Sequence, residues 1–76
     1  MKYNKKVINL QDLNTFNTSL KQAIQSTNPS IEFIRCCFKM KDSSTIYYYT
    51  AFDWIDANID LNKIEKFVIY QLFNEN

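Results

Sequence analysis

The chain contains no histidine and no glycine, and only one proline. Without imidazole there is no Ser-His-Asp triad, no His general base, no His to activate a cysteine nucleophile, and no His-bearing zinc site. Without glycine the phosphate-cradling loops of nucleotide-binding folds are excluded in their usual form. Asp53, Asp56 and Asp60 crowd one stretch, but an EF-hand needs another spacing and a central glycine. They read as solvated loop acids. Catalysis, a cofactor and a bound metal are therefore not expected. Cysteine is equally scarce: Cys36 and Cys37 are adjacent and have no spaced second pair. Neither a zinc site nor a disulfide framework follows, and free thiols suit a reducing compartment. No apolar run approaches the ~20 residues of a membrane span. Nothing after Met1-Lys2-Tyr3-Asn4-Lys5-Lys6 reads as a signal peptide. The expectation is an intracellular protein.

What the chain does hold is apolar and aromatic: 46% of all residues are hydrophobic, and 16% of all residues are Phe, Trp or Tyr. That suffices for one globular domain over residues 1–76, near the lower size limit for a self-sufficient core. Charge is unevenly spread. Residues 1–41 carry seven basic and two acidic side chains (+5), and residues 42–76 carry two basic and six acidic (−4).

The densest pattern runs from Ile31 to Trp54. In Ile31–Lys41 the even positions Ile34, Cys36, Phe38 and Met40 are apolar, and the odd positions Phe33, Arg35, Cys37, Lys39 and Lys41 are mixed and basic. Side chains alternate across a strand with period two, so this is a half-buried strand. Thr45–Trp54 reads as its hairpin partner, with Ile46, Tyr48, Thr50, Phe52 and Trp54 on the better core face. A three-residue loop, Asp42-Ser43-Ser44, or a five-residue loop of the same parity, brings the two even faces together; a two-residue loop would turn one of them outward. The odd positions Tyr47 and Tyr49 then join the outer face.

Lys5–Leu10 is a short candidate strand. Asn9 or Asp12 can cap a following helix whose apolar stripe is Leu13, Phe16, Leu20, Ala23 and Ile24, and Asn28-Pro29 ends it. Asp60 suits the start of a second helix, Leu61 to Phe73, with Leu61, Ile64, Phe67, Val68 and Leu72 inward. Ile69, Tyr70 and Phe73 fall partly outside that stripe. A helix apolar most of the way round is deeply buried or meets a partner, which makes these three a candidate dimer or partner contact. The expected fold class is α+β: a small two-layer sandwich in β-α-β-β-α order, an antiparallel sheet with both helices on one face. Its expected core includes Phe16, Leu20, Ile34, Phe38, Tyr48, Phe52, Ile64 and Val68.

On this reading Phe33, Arg35, Lys39, Lys41, Tyr47 and Tyr49 form an outer hairpin face of interleaved aromatic and basic groups. Such a face binds single-stranded nucleic acid by stacking and phosphate attraction, or anchors a protein partner. The element order resembles the first five elements of the RNA recognition motif, without its last strand or its aromatic-glycine signature. As a short chain with no enzymatic motif and a surface strand Tyr47-Tyr48-Tyr49, the sequence also resembles the small inhibitors encoded by phages and mobile elements, the anti-CRISPR proteins among them. That resemblance implies a non-catalytic inhibitor in the bacterial cytoplasm. It would bind a defence nucleoprotein such as an RNA-guided nuclease and block its guide or target. The acidic half, with Asp53, Asp56, Asp60 and Glu65, is then a second candidate contact, facing a basic nucleic-acid channel. A single-stranded nucleic-acid-binding module and a structural homodimer are the alternatives.

Overall fold

The computed structural model describes residues 2–73. Four strands and two helices follow in the order β1 (Lys2–Ile8), α1 (Leu13–Gln25), β2 (Ile34–Met40), β3 (Ile46–Thr50), α2 (Ala51–Ala57) and β4 (Ile64–Phe73). Short 3-10 turns at Leu10–Asp12, Pro29–Phe33 and Leu61–Lys63 join them. The sheet order is β1-β4-β2-β3, with every neighbouring pair antiparallel. Parallel β1 and β2 thus enclose β4, and parallel β3 and β4 enclose β2. The chain is two interlocked split βαβ units. The α+β class and the antiparallel sheet with helices packed on one face agree with the sequence reading. The β-α-β-β-α order does not: the chain is β-α-β-β-α-β.

Two elements were misread, for physical reasons. The segment expected to be the second helix is β4. It is a central strand, paired along both edges, and residues 67–70 are apolar on both of its faces, so Phe67-Val68-Ile69-Tyr70 is a continuous apolar run rather than an alternation. It also carries a β-bulge. Lys39 pairs with Lys66 but Met40 pairs with Ile64, which leaves Glu65 as an extra residue. The bulge shifts the phase of the strand, so Ile64 and Phe67 are both buried in the core at a spacing of three. That spacing imitates a helix. The second helix lies earlier, beginning where the hairpin strand was expected to run on to Trp54. Thr50 caps α2, its hydroxyl accepting the Asp53 backbone N–H at 3.1 Å, and Ala51 and Trp54 turn inward one helical turn apart.

That shorter β3 resets the hairpin. The observed pairs are Arg35 with Thr50, Cys36 with Tyr49, Cys37 with Tyr48, Phe38 with Tyr47 and Lys39 with Ile46. This is one residue away from the expected register, and a one-residue slip exchanges the faces of a strand. With Phe52 and Trp54 in a helix, the even face of β3 loses its claim on the core. Tyr47 and Tyr49 flank Phe38 instead, at ring-centroid distances of 5.4 and 5.1 Å. Tyr48 and Phe52, expected in the core, are 66% and 43% exposed. The connection is built on a turn in which Ser43 N–H donates to Met40 O at 3.3 Å, and Lys41 N–H donates to Lys63 O at 2.8 Å.

The core is aromatic. Phe38, 2% exposed, touches Trp54 (5.0 Å) and Phe67 (6.3 Å) as well as the two tyrosines, and Phe67 in turn meets Phe16 of α1 at 5.5 Å. Leu13, Leu20, Cys36 and Ile64 complete it, with Ala23 and Ile24 packed alongside. The stripe expected of α1 is therefore its inner face. Val68 is buried too, on the opposite face of the sheet. Trp54 Nε1 donates to Asn17 Oδ1 at 2.7 Å and ties α2 to α1. The caps are mixed. Neither Asn9 nor Asp12 caps α1 through its side chain. Asp60 caps the Leu61–Lys63 turn, its Oδ1 accepting Asn62 N–H at 3.0 Å.

The lack of glycine has a visible cost. Thr27 (φ 53°) and Asn58 (φ 47°) take left-handed conformations where helices end. At Thr27, Thr27 N–H donates to Ile24 O and Asn28 N–H to Ala23 O. This is the Schellman arrangement, with a β-branched residue in the position that usually holds glycine.

Candidate functional site

Both helices cover one face of the sheet, and among the described residues no helix covers the other. Alternation along the strands, carried through the register, assigns the residues of the open face in rows. One row sets Lys5, Tyr70, Arg35 and Thr50 side by side across β1, β4, β2 and β3. The next sets Val7, Val68, Cys37 and Tyr48 together. Beyond it lie Lys66, Lys39 and Ile46, and on the other side Tyr3 with Leu72. Three tyrosines and four cations share this face, and no carboxylate belongs to its rows.

Two shallow depressions mark it. One, of about 220 Å³, is lined by Lys5, Cys37, Lys39, Ile46, Tyr48, Lys66, Val68 and Tyr70, with Phe38 beneath. The second lies between Tyr3, Arg35, Tyr48, Tyr70 and Leu72. Tyr48 and Tyr70 stand between the two. Tyr3 meets Tyr70 edge-on at 5.2 Å and 72°, while the ring of Tyr48 makes no aromatic contact among the described residues and is largely exposed. The Tyr48 phenol is held above its ordinary value, chiefly by its contact with the Cys37 thiol.

The cations differ in what holds them. The Arg35 guanidinium donates to Glu32 O at 2.7 Å and to Ile34 O at 3.1 Å, which fixes it over the end of β2. Lys39 Nζ reaches Glu65 Oε2 at 2.6 Å. Lys39 and Lys66 are paired directly opposite each other, an arrangement that costs stability. The bulged Glu65 offsets the lysine it touches. Lys5 and Lys66 have no ion pair among the described residues, and both line the first depression.

Of the residues singled out from the sequence, the structure gathers Arg35 and Lys39 on this face. Tyr47 and Tyr49 are on the opposite face, packed against Phe38, because of the register. Phe33 is exposed at the end of a 3-10 turn rather than in the strand, and Lys41 sits in the hairpin connection. Cys37 does face outward as expected, but its neighbours leave it only 9% exposed. Asp53 and Asp56 are exposed on α2, on the helical side of the sheet, and Asp60 is used as a cap. Asp53 and Asp56 therefore lie on a different surface from Arg35 and Lys39, whereas Glu65 is paired with Lys39. Ile69, Tyr70 and Phe73 do not form one helical patch, since strand geometry turns Ile69 towards the helices and Tyr70 towards the open face. Sequence reasoning missed Tyr3, Lys5, Tyr48 and Lys66 as site residues. The signal was there for β1, where Tyr3, Lys5 and Val7 alternate, but only the place of β4 in the sheet joins them to Tyr70 and Lys66.

Among the described residues no helix is long and apolar enough to cross a membrane, and no three His, Cys, Asp or Glu side chains are grouped to hold a metal. The Cys36 thiol is pushed up to about 12 by burial, so it is a neutral core group. Comparison with protein-family models, curated proteins and solved structures found no match to this chain.

Proposed function

We propose that the chain is a non-catalytic binding domain whose open sheet face takes single-stranded nucleic acid. The observation that carries this reading is the row Lys5-Tyr70-Arg35, an aromatic ring between two cations, with the exposed Tyr48 one row away. Bases stack on Tyr48 and Tyr70, and Lys5, Arg35 and Lys66 meet the phosphates. Stacking on a ring is indifferent to base identity, so binding is expected to be sequence-tolerant. A plain protein-binding face is the weaker reading, because lysine is depleted in protein interfaces and three of the four cations here are lysines. The Lys39-Lys66 opposition, offset by Glu65 only on the Lys39 side, also makes sense on a surface that meets a polyanion. An inhibitor of a defence nucleoprotein, the activity that the resemblance implies, would on this geometry use the same face against the guide or target strand.

Fluorescence anisotropy with a labelled single-stranded oligonucleotide tests it. Three phosphate contacts give a slope of log affinity against log salt of about −2 for a single strand. Affinity then falls roughly 15–20-fold between 50 and 200 mM salt. Tyr48→Ala should weaken binding by about 1–3 kcal/mol with no loss of fold. Binding that ignores both salt and Tyr48 would dismiss this face as the site.

A further inference from the structure

We infer that β3 is a pairing edge, and that a second copy of this chain is its partner. The two edges of the sheet are unlike. The β1 edge carries Lys2, Lys5 and Lys6 within seven residues, and edge lysines are a standard defence against recruiting another strand. The β3 edge reads Ile-Tyr-Tyr-Tyr-Thr, with no charge, no proline and no bulge in its pairing with β2. From Ser43 to Phe52 there is no charged side chain at all. Such an edge is a template for strand addition.

The edge is also self-complementary. A two-fold axis normal to the sheet keeps every side chain on its own face, so only residues of equal parity can sit opposite each other. The register centred on Tyr48 pairs the whole strand. Tyr48 faces its own copy, Tyr47 faces Tyr49 of the second copy, and Ile46 faces Thr50. Aromatic and β-branched pairs are favourable across strands, and no like charges are opposed. Joining β3 to the lysine-bearing β1 edge of another copy would set an open-ended filament, whereas the two-fold contact closes on itself.

Closure also enlarges the open face. Ile46 and Tyr48 lie on it, so the dimer is one eight-stranded sheet, about 34 Å from first strand to last at the usual spacing. An aromatic band runs down its centre, and the cationic rows flank it on both sides.

The test is made without nucleic acid, so its result is independent of the proposal above. Sedimentation of the full chain, taken to millimolar concentration, should show a concentration-dependent doubling of mass. Y48K sets a lysine opposite its own copy and should remain monomeric over the same range, with an unchanged circular dichroism spectrum. As a second measurement, Y48C brings two thiols within reach of a disulfide. Mild oxidation should trap it as a covalent dimer at least tenfold faster than V7C, which puts a thiol on the exposed β1 edge. A parent chain that stays monomeric overturns the inference. So does a dimer that Y48K leaves intact, or Y48C cross-linking no faster than V7C.

Discussion

Truncating Phe38 and Tyr48 separately measures the hairpin register through stability. The two side chains are large, aromatic and on adjoining strands, and the sequence alternation expected both inside. In the structure Phe38 is 2% exposed and its ring meets Tyr47, Tyr49, Trp54 and Phe67. Phe38→Ala removes the transfer free energy of the ring and leaves a cavity among four rings, a cost of about 3–5 kcal/mol. A domain of this size has roughly 4–11 kcal/mol of stability in total. The variant should therefore lose most of its urea midpoint, and its Tm should drop by roughly 12–40 °C at about 4–8 °C per kcal/mol. Tyr48→Ala removes a side chain already in water and should cost about 0.5 kcal/mol or less. Urea titration followed by Trp54 fluorescence gives both numbers on one scale. Equal costs, or a larger cost for Tyr48, would refute the register and with it the membership of the open face.

Thr27→Gly should stabilise the domain by about 1 kcal/mol, because it relieves a left-handed β-branched residue that already has its Schellman hydrogen bonds; thermal melting reads the gain. Trp54→Phe should cost about 1–3 kcal/mol in chemical denaturation, since it leaves Asn17 Oδ1 without the indole donor while keeping most of the packing. Cys36 gives a pH dependence with a definite sign. Its folded value is raised from 9.0 to about 12, so the unfolded thiol ionises first. The contribution is intact below pH 9 and is lost as pH rises from 9 towards 12. Stability at alkaline pH should fall more steeply in the parent than in Cys36→Ala, the comparison that cancels the tyrosines common to both. Tyr47→Ala and Tyr49→Ala should lower stability measurably, because both rings pack on Phe38.

The legible parts of the fold were those set by local pattern. The stripe of α1, the alternation of β2 and the stop at Asn28-Pro29 each follow from a few neighbouring residues. The illegible parts were set by the rest of the sheet. In β4 both faces are apolar over Phe67-Val68-Ile69-Tyr70, so the run lacks the period-two signature, and the bulge at Glu65 put Ile64 and Phe67 three apart on one side. The Thr50-Ala51-Phe52-Asp53 stretch carried a helix-start signal, a threonine followed three residues later by an acid. Strand-like aromatics on either side masked it. That one boundary turned β3 over, and with it exchanged Tyr47 and Tyr49 for Tyr48 in the candidate site. Arg35 and Lys39 were placed correctly because they belong to the strand whose alternation was unambiguous. Lys5, Lys66 and Tyr70 reach the same face only through β1-β4-β2 adjacency, a long-range fact that no local pattern contains.

The most direct test of the central claim is a titration of the isotopically labelled chain with an unstructured single-stranded oligonucleotide, followed by amide and side-chain NMR shifts at low salt. Binding on the open face predicts shifts at Tyr3, Lys5, Arg35, Tyr48, Lys66 and Tyr70, with Asp53, Asp56 and the exposed side of α1 unmoved. Shifts confined to the helical layer, or no shift at saturating oligonucleotide, would contradict it.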